Sequence, residues 1–227
     1  INKKKYFNYS SIFLNATAHL QHHYLYNSKA IIKEQNNPSW YIQENEDPVL
    51  FIFKSYDLFI GKLMNTFKNE NTRIILCTAL SQTACKEIKY YWKLKVIEFF
   101  ENFNMSKFKY LPRMSRDFEL EFESNSEAII FNKFISNIMI NNTTIFNADL
   151  KGNNLFCELI YSSEITENLE VFYDGQIVIK DFQRYVDFIA IKNGEHADKG
   201  YLIDTENQFF NKINLKEIYN KVVTHFT

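Results

Sequence analysis

Glycine, proline and cysteine are all scarce in this chain, and each scarcity removes a class of protein. With 5 Gly and 3 Pro in 227 residues, it has neither the composition of a disordered or low-complexity segment nor that of a collagen-like repeat. Its 3 cysteines, Cys77, Cys85 and Cys157, are odd in number and lack zinc-type spacing. The expectation is a chain of reduced thiols in the cytoplasm rather than a disulfide-stapled secreted domain. Charge of one sign is missing as well: 26 Lys and Arg stand against 27 Asp and Glu, a net charge of −1. Duplex nucleic acid needs clustered cations to neutralise phosphates, and the one basic run, "NKKK" at Asn2 to Lys5, is short and terminal. No run of about 18 apolar residues occurs, which argues against a membrane span. No signal peptide is visible, and since the sequence opens on Ile1 rather than Met, an upstream segment with its own targeting signal stays open.

Aromatic residues are abundant. The 22 Phe and 14 Tyr, within an apolar fraction of 46%, are ample material for a packed core, and the length suits one medium domain or a domain with a smaller one inserted. "YSSIFLNA" reads as a short buried strand running into a turn, followed by a helix. "ENEDPVLFIFKSYDLFIGKLMNTFKNE" predicts a long helix: Asp47 can cap it, Pro48 suits its first turn, and Leu50, Phe53, Ile60, Leu63, Met64 and Phe67 recur at helical spacing. "TRIILCTAL" then reads as a fully buried strand, since the unbroken run Ile74 to Cys77 is what a parallel sheet covered on both faces requires. Strand, helix and strand in this order predict a doubly wound α/β core.

After Pro112 the pattern changes. "RDFELEFES" sets Phe118, Leu120 and Phe122 against acidic residues, a half-buried strand. "SNSEAIIFNKFISNIMI" places Ser124 and Glu127 at capping-box spacing ahead of a helical apolar pattern. "NNLFCELIYS" and "NLEVFYDGQIVIKDF" read as further strands, the latter turning at Asp174-Gly175. The expected organisation is an α/β core over 1–112 and 190–227, with residues 113–189 as an inserted small α+β subdomain. "NLKEIYNKVVTHF" closes the chain as an amphipathic helix started by Asn214.

Three of the 5 histidines fall within "FLNATAHLQHHYLYN". Asn15, His19 and His23 lie at i, i+4 and i+8 on one helical face, with His22 beside them. Neutral imidazoles at i, i+4 are a common way for one helix to offer two ligands to zinc; the same spacing also suits a histidine-rich surface with no ligand. A fourth histidine, His196 in "KNGEHADKGYLIDT", sits in an expected loop between Gly194 and Gly200, placed to deliver a ligand from the end of a strand or to form an ordinary surface loop.

The order of these pieces resembles the second half of an alkaline phosphatase superfamily domain, in its type I phosphodiesterase/nucleotide pyrophosphatase branch. In that family an Asp-x-x-x-His metal motif precedes a helix, then a buried strand ending in Asp-His-Gly, and later a His in a glycine-containing loop. Here "NATAH" stands at the first motif, with Asn15 in place of the Asp and His19 keeping the His. "CTALSQ" stands at the second, with Ala79 and Leu80 in place of the Asp-His pair. His196 in "GEHADKG" matches the last. The resemblance spans about Ser10 to Thr205. It implies an alkaline-phosphatase-like α/β core, mostly parallel sheet flanked by helices, and hydrolysis or transfer at a phosphate or sulfate ester in intact relatives. It also implies one zinc or manganese ion at most, held by His19 and His196 with His22, His23 and Asn15 as neighbours. Ala79 and Leu80 cannot coordinate a second ion, and no nucleophile is placed, so an upstream segment or a protein partner would have to complete the site around a small phosphorylated ligand. The alternative is a non-catalytic binding or assembly module that keeps the fold without metals.

Other chemistry is thinner. Ser81 and Gln82, after the buried strand, suit either substrate hydrogen bonds at a sheet edge or the cap of a following helix. Arg113 and Arg116 could hold a phosphate or lie in an exposed loop. Asp204-Thr205 reads as a turn or an active-site pair. Tyr90, Tyr91 and Trp92 interleave with lysines in "KEIKYYWKLK", as in single-strand binders, or form a helix that carries its lysine heads outward over the core. Phosphate-binding glycine loops, G-x-S-x-G and dinucleotide fingerprints are all missing from the sequence.

Overall fold

The structure is a computed structural model that describes residues 8–32, 35–67, 72–206 and 214–225; the basic run at Asn2 to Lys5 lies outside them. In chain order the elements are α1 (Ala16–Tyr24), α2 (Pro48–Phe67), β1 (Ile75–Thr78), β2 (Ser81–Leu94), α3 (Val96–Glu101), β3 (Lys109–Pro112) and β4 (Asp117–Glu121). There follow α4 (Asn125–Ile135), β5 (Ile138–Ile140), β6 (Thr143–Thr144), β7 (Phe146–Lys151) and β8 (Asn154–Leu159). The last are β9 (Val171–Tyr173), β10 (Gln176–Ile179), β11 (Val186–Ala197), β12 (Tyr201–Asp204) and α5 (Leu215–Val223). Two compact units result: Ile1–Lys86 with Asn193–Thr227, and Glu87–Lys192. The sequence reading placed its divisions after residues 112 and 189; the units divide after Lys86 and Lys192.

The expected core, a mostly parallel sheet flanked by helices, is not what the chain forms. Its strands make small antiparallel sheets: β3-β4-β8-β7, β10-β9-β5-β6 and the pair β1-β12, while β2 pairs with β11. The misreading began at "IILC". A short apolar run is compatible with a buried parallel strand, but β1 pairs antiparallel with β12, and its burial falls from half-buried Ile75 and Leu76 to exposed Cys77 and Thr78. Residues 8–15, expected to begin as a buried strand, have no regular structure and leave Ile12, Phe13 and Leu14 exposed. "KEIKYYWKLK" runs along β2 as far as Leu94 and is not a helix: Tyr90, Trp92 and Leu94 are buried while Lys89 and Lys93 are exposed, the two-residue alternation of a strand.

The unit Glu87–Lys192 is built on phenylalanine. In the antiparallel pair β4–β8, Phe118 lies opposite Cys157 and Leu120 opposite Leu155, and all four are buried. α4 packs across β7 and β8 with Ala128, Phe131, Phe134 and Ile135 inward, at the three- and four-residue spacing of one helical face. Its start is a capping box, as the sequence implied: the Ser124 hydroxyl accepts from the Glu127 amide at 3.3 Å and Glu127 Oε2 accepts from the Ser124 amide at 3.1 Å. Phe100 on α3 is fully buried, with the rings of Phe99, Phe108, Phe118, Phe131, Phe134 and Phe146 between 5.1 and 6.3 Å from its own. Burial of the Cys157 thiol here raises its pKa to about 12. Tight turns need positive φ: Asn141 (49°) and Asn142 (59°) supply it between β5 and β6, Asp174 (50°) and Gly175 (74°) between β9 and β10.

The other unit has little apolar interior. Leu25, Tyr26, Ile42, Val49 and Cys85 are buried, alongside the polar Asn27, Ser28, Asn37, Asn193 and Asp204. α2 starts as expected, Asp47 Oδ1 accepting from the Leu50 amide at 2.8 Å, and α5 likewise, Asn214 Oδ1 accepting from Lys216 at 3.0 Å. The apolar positions of α2 are not core, however: Leu50, Phe53 and Met64 are exposed, and Val49 is the one buried residue among the described side chains of that helix.

Phe100→Ala should lower the unfolding free energy by about 3–5 kcal/mol in urea titration, whereas Phe156→Ala on the exposed face of β8 should cost under about 1 kcal/mol.

Candidate functional site

The histidines of α1 and the end of β11 meet within the first unit, and the contact depends on a residue without a side chain. A Cβ on Gly194 would lie 2.2 Å from the Gln21 carbonyl oxygen, so only glycine allows this part of β11 to approach α1 so closely. Beside it, Asn193 is fully buried. Its Oδ1 accepts from the Leu25 amide (2.8 Å), and its Nδ2 donates to the His23 carbonyl (3.0 Å) and to Asn37 Oδ1 (2.6 Å). The relay continues: Asn37 Nδ2 donates to Asn27 Oδ1 (2.6 Å), and Asn27 Nδ2 to the carbonyls of Gln43 (3.0 Å) and Glu46 (3.1 Å). A buried carboxamide is costly unless its donors and acceptor are paired. Here three in series tie the end of α1 to β11 and to the loop before α2.

That frame fixes His22. Its Nδ1 lies 2.9 Å from the Gly194 carbonyl oxygen, which can only accept, so Nδ1 carries the proton. Nε2, 3.2 Å from Gln82 Nε2, then accepts from that amide. Both ring nitrogens are engaged by the protein, which makes His22 a structural bridge among α1, β11 and β2 rather than an open ligand. Gln82, expected at a substrate or at a helix cap, is instead in β2 and bound to His22; its Oε1 is buried without a partner. Ser81 opens the same strand.

The other histidines are arranged around this bridge. The His196 ring lies 4.8 Å from that of His22, and the His19 ring 4.9 Å from that of His23, the turn-spaced neighbour on α1. His23 and His22 are 6.5 Å apart. His19 and His196 are exposed, His23 half-buried. His196 belongs to β11 itself, not to a loop after it. Asn15 is the residue before α1; its carbonyl accepts from the His19 amide at 3.0 Å, but its side chain makes no capping bond. Among the described residues, no three His, Cys, Asp or Glu side chains are already grouped so as to hold a metal ion. His19 and His23, one helical turn apart on α1, are of the donor type that borderline divalent ions take.

The remaining candidates are occupied elsewhere. Arg113 is paired with Glu119; Arg116 with Glu158 at 2.7 Å, and its guanidinium lies 4.4 Å over the Tyr91 ring. Tyr90 and Trp92 stack on each other, ring centroids 6.2 Å apart, and the Trp92 indole donates to the Ser163 carbonyl at 2.9 Å, so neither offers a face to a nucleobase. Asp204 ends β12, opposite Ile75 of β1. Arg73 grips it through Nε at 3.0 Å and Nη2 at 2.6 Å, and this bond holds the Asp204 carboxyl below its ordinary range. Asn193, Asn37, Asn27 and Arg73 carry no motif; their roles come from residues more than a hundred positions away in the chain for Asn193 and Arg73. No family model matches this chain, and no curated protein or solved structure matches it significantly. Among the described residues, no helix is long and apolar enough to cross a membrane.

His22→Ala should destabilise the protein by about 1–3 kcal/mol in urea unfolding, because it strands the Gly194 carbonyl and the Gln82 amide, while exposed His19→Ala should stay within about 0.5 kcal/mol. The depressed Asp204 pKa contributes stability above the ordinary carboxyl range, lost as pH falls below it. The destabilisation of Asp204→Asn should therefore be constant from neutral pH to about pH 4 and shrink below that in acid-unfolding curves.

Proposed function

We propose that this chain is a partial, metal-dependent phosphoesterase-like protein whose one ion, zinc or manganese, is bound by His19 and His23 of α1 together with His196 of β11. The observation that carries this reading is the convergence of the histidines: β11 returns to α1, 172 residues from His22 at Gly194, and sets His196 4.8 Å from the His22 ring while His19 and His23 stand 4.9 Å apart. In the proposed site His22 is a positioning residue. Its ring is committed to Gly194 and Gln82, and so it ties the helix that carries His19 and His23 to the strand that carries His196. Asn15 contributes a neutral oxygen at best.

A single imidazole-bound ion supplies Lewis acidity toward a phosphate or sulfate oxygen. The residues of this chain bind and orient; no side chain in the cluster is an activated nucleophile, so the reading assigns the nucleophile to an upstream segment or a protein partner. A small phosphorylated ligand is the class of molecule that such an ion would hold.

Protein purified without chelator should carry about one equivalent of zinc or manganese by elemental analysis, and added zinc should raise its melting temperature. The double variant His19→Ala with His196→Ala should lose both effects and keep its circular dichroism spectrum. Metal-free protein whose melting temperature does not respond to zinc would sink the reading.

A further inference from the structure

α2 carries an exposed apolar stripe with one charge of each sign at its centre. Leu50 (45% exposed), Phe53 (48%) and Leu58 (67%) form an open apolar surface together with Lys54 and Asp57. Each of these five residues, with Gly61 and Met64, has another of the set three or four positions away along the helix, so they share one stripe. The opposite side faces the unit's own interior, where Val49 is buried and the Tyr56 hydroxyl accepts from the Ala16 amide at 3.0 Å. Two features of the stripe stand out, since among the described residues no ion pair or packing contact uses them. Lys54 and Asp57 interrupt an apolar surface with one charge of each sign. Gly61 sits inside the helix, where glycine costs about 1 kcal/mol relative to alanine, yet a Cβ there would meet nothing within 4 Å.

Both are accounted for by a two-fold antiparallel pairing of α2 with α2 of a second copy, centred between Ser55 and Tyr56. Residues whose numbers are equidistant from that centre then lie at one height. Lys54 stands beside Asp57 of the second copy, twice over by symmetry, and Leu50 lies over Gly61, a large side chain against a position with none. Phe53 and Leu58 close the two flanks. We infer that the chain forms an isologous homodimer through α2, the Lys54–Asp57 pairs setting its antiparallel register. This stands independently of the metal reading, since it uses none of the histidines.

The full chain should sediment as a concentration-dependent dimer in analytical ultracentrifugation. Lys54→Asp and Asp57→Lys turn both attractions into repulsions, and each should weaken dimerisation by at least about tenfold; the double swap should recover to within about threefold of wild type. Gly61→Leu should also weaken the dimer, and as a helix-favouring change into open space it should leave the monomer folded and at least as stable. A wild-type chain that stays monomeric at all concentrations tested overturns the proposal, including the case in which α2 binds a different protein. So does a dimer that is indifferent to the single swaps or is not restored by the double one.

Discussion

The carboxamide of Asn193 is the interaction on which the histidine-bearing unit depends. Fully buried, it accepts from the amide of Leu25 just beyond α1 and donates to the His23 carbonyl and to Asn37. Remove it and an amide, a carbonyl and a second carboxamide lose partners in a place water does not reach, a penalty larger than the bonds were worth in isolation. Because the unit has few large apolar side chains inside it, directional polar pairing rather than hydrophobic area specifies how α1, the loop before α2 and β11 come together. Gly194 adds the complementary steric condition, allowing backbone to meet backbone.

From this frame follows a division of labour among four histidines. His22, at the centre, has one nitrogen on a carbonyl and the other on an amide, so its chemistry is consumed in holding the site. His19 and His196 lie outside it, exposed. Within the cluster, the two hydrogen bonds of its ring mark His22 as the scaffold residue. The arginines that sequence suggested for phosphate show the same logic in the other unit, where Glu119 and Glu158 engage them.

Local signals were legible residue by residue. Ser124 with Glu127, Asp47 ahead of Pro48, Asn214, and Asp174-Gly175 each specify a cap or turn through bonds that span a few positions, and each forms as its spacing implies. The approach of His196 to the His22 ring has no local signal, because 174 residues separate the two in the chain. The asparagine relay was not legible at all, because Asn27, Asn37 and Asn193 are ordinary surface residues until the chain folds them against one another. "IILC" and "KEIKYYWKLK" were misread for a related reason. Four apolar residues do not say whether one or two faces are covered, and lysines every few positions suit the exposed side of a strand as well as that of a helix.

What the sequence determined by itself is therefore the set of interactions closed within one turn of chain: caps, turns, the alternation of Phe118, Leu120 and Phe122, and the helical spacing of α2. Only the tertiary structure decided which surfaces those elements cover. It made the sheets antiparallel, assigned His22 to structure and His19 and His196 to the exposed surface, and left the stripe from Leu50 to Met64 uncovered. The physical reason is that periodicity specifies which side chains share a face, while burial and hydrogen-bond pairing depend on partners distant in sequence, and no local pattern carries their identity.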